Sequence, residues 1–225
     1  MQTESAFGRK LEKANTEEGF NSLTHLIGAL LIFIGGAFLI MMSALQGDVW
    51  KIVSFGIYIA FVMMMFIFSS IYHGIKKGEK HERRLRTLDY VGVFLAITGS
   101  FVPICLVLLR GVFGWTLFGV VMLLTLVGLG LRFIAGVSIY ITGTFQAIIG
   151  LLGLILIPTL YRISPNALLL FLAGGVAYIL GFIILAARWP NIIKGKFGFH
   201  EIWHILVLLG ALCHFLLMWF YVLNF

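Results

Sequence analysis

Charge is what this sequence has least of: 11% of its 225 residues are Asp, Glu, Lys or Arg while 61% are hydrophobic, where soluble domains run at roughly a quarter charged. A water-soluble globule is excluded. Cysteine is nearly absent too, and Cys105 and Cys213 both fall inside apolar runs, which leaves neither a disulfide framework nor a CxxC metal or redox motif. The first twenty residues, MQTESAFGRKLEKANTEEGF, lack the apolar core and the cleavage site of a signal peptide. With four acidic and three basic side chains they are expected to form a retained cytoplasmic tail, residues 1–22. The last apolar run has no Lys to form a Schiff base, which disfavours a retinal-type pump. Neither a fixed-period repeat nor an inverted pair of broken helices is visible, which weakens a secondary-transporter reading.

What is present is a series of long uncharged runs, each sufficient for the ~20 residues that cross a bilayer. They predict an all-α polytopic membrane protein, a seven-helix bundle over residues 23–225, with helices near 23–44, 52–72, 88–109, 113–131, 137–158, 166–187 and 200–224. The fourth and fifth are separated by only a few residues around Arg132, so a merged or re-entrant pair is the alternative there. Pro103 is expected to kink the third helix. Gly28, Gly35, Gly36, Gly174, Gly175 and Gly181 are read as positions where helices pack closely.

The net charge of +7 raises the question of a nucleic-acid partner, but the basic residues cluster in short loops between spans. With the N-terminus inside, Arg9, Lys10, Lys13, Lys76, Lys77, Lys80, Arg83, Arg84, Arg86, Arg132, Arg188, Lys194 and Lys196 fall on the cytoplasmic side, against Lys51, Arg110 and Arg162 outside. That is the positive-inside pattern of a multi-pass cell-membrane protein, and it supports an odd helix count with the C-terminus expected outside. No nucleic-acid partner is expected; membrane lipid is. The basic stretch KKGEKHERRLR (residues 76–86) reads as a solvated loop that sets topology, with anionic lipid headgroups as its other possible contact.

On this topology the polar groups at membrane depth gather at one face. Ser69 and His73 end the second helix, Asp89 begins the third, and His200 and His204 begin the seventh. Residues four apart on a helix share a face, about 6 Å apart along the axis, so His200 and His204 can bind one metal ion. With His73 as a third ligand the set is three neutral imidazoles, which suits Zn²⁺ with a fourth position left for water. Asp89 and Ser69 are then placed to hold that water, Asp89 as its proton acceptor. The bland reading, interfacial or packing histidines, stands beside this one; against it, imidazole and carboxylate groups at membrane depth are costly and usually functional.

Asn21 and His25 share a face at the cytoplasmic start of the first helix and could support the site from behind its ligands, though an ordinary helix-end role fits as well. Glu201, roughly 100° around the helix from His200, is expected to reach the headgroups. His81 belongs to the basic loop. His214, about 15 Å beyond His204 along the axis, is expected to hydrogen-bond a neighbouring helix.

At these residues the chain resembles the hemolysin III family, related to the progesterone and adiponectin receptor family and more distantly to alkaline ceramidases. The matching stretches are EEGFNSLTHLIGALL at 17–31, SSIYH at 69–73, LDYVGVFLAITGSFVP at 88–103 and HEIWHILVLLGALCHF at 200–215. Tyr90 and the GSFVP at 99–103 are closer to the receptor branch. The resemblance implies a seven-helix fold with Zn²⁺ held by His73, His200 and His204, and with Ser69 and Asp89 lining the site.

Two functions from different classes follow. One is a zinc-dependent hydrolase of a lipid amide or ester; the other is a non-enzymatic sensor or regulator of lipid state in which zinc clamps helices. The family's name adds cytolytic activity, for which the spans are too apolar to line a water channel.

Overall fold

The computed structural model describes the chain over residues 6–75, 79–134, 139–193 and 197–225. Within these, the regular elements are helices, with one isolated antiparallel bridge between Ile193 and Phe197. Helices satisfy their own backbone hydrogen bonds, which hydrocarbon demands because it offers no water to do so. Among the described residues seven helical spans are long and apolar enough to cross a membrane: Glu18–Leu45, Val49–Gly74, His81–Leu108, Val112–Ile134, Ile141–Ile163, Pro165–Ala187 and Phe199–Val222. The expected count holds, and the fourth and fifth are separate spans rather than a merged pair.

The spans are built from α1 (Ala6–Leu45), α2 (Val49–Gly74), α3 (Glu79–Pro103), α4 (Val112–Ile134), α5 (Ile139–Leu151), α6 (Ile157–Ile163), α7 (Pro165–Ala187) and α8 (Phe199–Leu217). At Pro103 the third span changes to a π-helical turn, Ile104–Leu108. Proline removes one hydrogen bond of the α ladder and crowds the preceding turn, so a break at this residue is the expected response. A 3₁₀ turn, Leu152–Leu156, joins α5 to α6 just ahead of Pro158.

Boundaries differ from the sequence reading where charged residues are helical. α1 runs unbroken from Ala6, well before residue 23. α3 starts at Glu79, so most of the stretch read as a basic loop, His81 included, is helix; Glu82 and Arg86 pair one turn apart at 2.7 Å and support it. Arg132 is likewise in the last turn of α4, with its guanidinium 4.8 Å from the centre of the Tyr90 ring. The side chains of Arg9, Lys10, Lys13, Lys76, Lys77, Lys80, Lys194 and Lys196, on which much of the charge asymmetry rests, lie outside the described residues.

α2 and α3 pack on each other at the centre of the bundle, α1 packs on the other side of α2, and α8 packs on α1 and α7. Small residues set how near these helices come. A Cβ on Gly92 would lie 2.7 Å from the Met65 Cα, so α3 touches the backbone of α2. Gly28 meets Leu208 and Phe66, Gly36 meets Ile59, and Gly181 meets Trp203, as close packing requires; Gly175 faces open space instead. At the end of α2 remote from His73, Lys51 is buried, its Nζ donating to Gln46 Oε1 and to the Leu223 carbonyl, both at 2.8 Å. The chain's last turn is thereby tied to the α1–α2 connection.

Candidate metal centre

α2 ends at Gly74, one residue after His73, where the chain turns extended at Ile75. A side chain on Gly74 would strike the Ser22 hydroxyl, and that hydroxyl in turn donates to the Ser70 carbonyl at 2.9 Å. The last turn of α2 is thus fastened to α1. α8 begins after Gly198, whose N–H donates to Glu201 Oε2 at 2.8 Å, an N3 carboxylate folding back on the helix start. This cap fixes the turn that carries His200 and His204.

The two ends meet. One nitrogen from each of His73, His200 and His204 lies within 4.8 Å of the others, so the three could hold a metal ion. His73 Nε2 and His200 Nε2 stand 3.4 Å apart, and the ring centres are 4.8 to 5.0 Å apart in every pair. His73 and His204 are buried, and the buried Nδ1 of His204 has no hydrogen-bond partner. Buried polar nitrogens without partners are costly, and a cation shared by three imidazoles would satisfy them. Neutral imidazole suits several divalent transition metals, zinc among them.

Behind the cluster stands one stripe of α1. Residues 18, 21 and 25 fall within about 60° of one another on a helix, and each meets a different part of the site. The Glu18 carboxylate lies in close contact with His73 Nδ1. Asn21 Nδ2 donates to Glu201 Oε1 at 3.0 Å, with both side chains buried. The His25 ring lies 3.9 Å from that of His204 and 5.2 Å from Phe66.

Ser69 is buried one turn before His73 on α2, and Asp89 is half-buried on α3 with the Tyr72 and Tyr90 hydroxyls in its electrostatic neighbourhood. The Asp89 carboxylate does not join the group that meets within 4.8 Å. Glu201 corrects an expectation: it is 4% exposed and points into the protein rather than to the headgroups, because α1 packs on that side of α8. The His214 ring packs against α7, 5.7 Å from the Phe171 ring and 5.5 Å from that of Tyr178.

Two participants, Glu18 and Glu201, were not picked out from the sequence, and each had a signal. Extending the Asn21–His25 face one turn towards the N-terminus gives Glu18, and Glu201 occupies the N3 position, where an acidic residue caps a helix. Beside His200 a small cavity of about 90 Å³ is lined by Asn191, Ile193, Phe197 and Glu201 among others.

Comparison with known proteins gives a consistent picture. A family model described as haemolysin-III related matches residues 13–215. Hemolysin-3 of Bacillus cereus is 32% identical over 209 residues, covering 92% of each chain. A hemolysin-3 homolog of Bacillus subtilis (strain 168) is 32% identical over 208 residues, 91% of this chain and 94% of the relative. An adiponectin receptor protein of Drosophila melanogaster is 28% identical over 242 residues, matching 92% of this chain and 51% of the receptor.

Proposed function

The chain belongs to the haemolysin-III-related family, itself related to the adiponectin receptors, and on that footing we propose that this multi-pass membrane protein binds zinc through His73, His200 and His204 and hydrolyses a lipid amide or ester at its cytoplasmic face. The observation that carries the reading is the convergence of three imidazole nitrogens within 4.8 Å at the ends of two spans. Zinc bound by these three imidazoles would have room for a water and, as a Lewis acid, would bring the pKa of that water towards neutrality.

The chain's own residues do the rest. Asp89, on the helix packed against α2, accepts the proton as water attacks the carbonyl, and the Ser69 hydroxyl holds the reacting oxygen by a hydrogen bond. The apolar spans present the acyl chain from the lipid side.

A second reading is favoured by one observation. The cavity beside His200 is about 90 Å³, below the roughly 300 Å³ at which small-molecule sites begin. On that reading zinc clamps α2 to α8, and the protein senses or regulates lipid state without turnover. The test is release of fatty acid from a panel of ceramides and glycerolipids by purified protein, zinc-loaded and chelated. Zinc-dependent release supports the hydrolase; a zinc-dependent melting temperature with no release from any lipid supports the clamp.

A further inference from the structure

We propose that Glu18 is the positioning residue of this metal site, holding the His73 ring in the orientation and tautomer that direct its Nε2 at the metal; the inference rests on the zinc reading above. An imidazole can offer either nitrogen, and which one it offers is set by the hydrogen bond made by the other. Here the carboxylate of Glu18 meets Nδ1, while Nε2 faces His200 Nε2 at 3.4 Å. The pairing divides the ring between two tasks: Nδ1 donates to α1, and the Nε2 lone pair points into the cluster.

Location supports the assignment. The Glu18 side chain is 54% exposed and that of His73 3% exposed, so the carboxylate sits at the rim of the bundle and reaches inward to a ring that is otherwise enclosed. α1 does not depend on this contact for its place. Ser22 binds the Ser70 carbonyl and lies 3.2 Å from the Ser70 hydroxyl, and Gly28 seats α1 against Phe66 and Leu208. Glu18 can be changed without removing what docks the helix. A carboxylate on the distal nitrogen of a liganding histidine also raises the basicity of the ligand, and losing such a partner typically weakens metal affinity about 10- to 100-fold.

The experiment uses the full chain in detergent micelles. Zinc affinity is measured by competition with a chromophoric chelator, the Co²⁺ absorption spectrum reports ligand geometry, and melting temperature is taken with and without metal. Glu18→Ala should weaken zinc about 10- to 100-fold and alter the Co²⁺ spectrum while leaving the metal-free melting temperature unchanged. Glu18→Gln, which keeps an acceptor for the ring N–H but no charge, should fall between. Wild-type affinity and spectrum in Glu18→Ala, beside loss of zinc in His204→Ala, would overturn the role of Glu18 and leave the zinc reading standing. An equal drop in metal-free and metal-bound melting temperature, with an unaltered Co²⁺ spectrum, would reduce Glu18 to a structural contact and overturn the proposal too. A wild-type protein that takes up no zinc would overturn the zinc reading itself, and this inference with it.

Discussion

Asn21 and Glu201, 180 residues apart in sequence, are joined by a 3.0 Å hydrogen bond between buried side chains. Through it the first helix grips the opening turn of the last one, which carries His200. Removing the carboxylate would leave both the Asn21 amide and the Gly198 N–H without an acceptor. A hydrogen bond to a charged group contributes about 1.5–3 kcal/mol and a helix cap about 1 kcal/mol. Glu201→Ala should therefore lower stability by roughly 2–4 kcal/mol, read as a shift in unfolding by denaturing detergent, with Glu201→Gln milder. Unchanged unfolding in Glu201→Ala would show that the pair is dispensable.

Zinc content should be about one per chain in purified protein, and His200→Ala or His204→Ala should lose most of it, because two imidazoles make a poor site. Elemental analysis after dialysis against a weak chelator is the measurement. Retention of full zinc by the double substitution would place the metal elsewhere, with His25, whose ring centre is 3.9 Å from that of His204, as the next group to replace.

Asp89→Asn separates chemistry from clamping. If the carboxylate accepts the proton during hydrolysis, the change should preserve fold and most metal binding while cutting turnover by about 10²- to 10⁴-fold. If zinc is only a clamp, the same change should act on metal affinity, by about 10- to 100-fold, and on melting temperature in step. Zinc content and melting temperature are measured beside fatty-acid release. Full turnover in the Asn variant would remove Asp89 from the chemistry.

The distribution of Lys and Arg predicts a cytoplasmic N-terminus and an outside C-terminus. A cysteine placed at exposed His81 should be labelled by a membrane-impermeant reagent from the cytosolic side only, and a reporter fused after Phe225 should be active only when it functions outside. Cytosolic activity of that reporter would invert the arrangement.

Close approach of α3 to α2 predicts the cost of filling Gly92. A methyl group there would lie 2.7 Å from a backbone atom, the Met65 Cα, which cannot swing aside. Gly92→Ala should destabilise by about 1–3 kcal/mol, whereas Gly175→Ala, facing open space, should be near neutral. Thermal melts of the two variants side by side provide the comparison.

Sequence alone determined the spans, because a bilayer of fixed thickness demands uncharged runs of a given length. It also located the three-histidine cluster: His200 and His204 share a face by helical period, and chain alternation brings His73 to the same end. What each helix turns towards its neighbours was decided only by tertiary packing. Glu201 was expected in the headgroups because it diverges from His200 around α8, yet α1 covers that side, so both directions lead into protein. Gly28 lies against Leu208 of α8 and Phe66 of α2, and this seating fixes the register in which Glu18, Asn21 and His25 face the site. A helix's own periodicity says which residues share a face, but in a bundle wrapped on several sides it cannot say which face is buried, or against what.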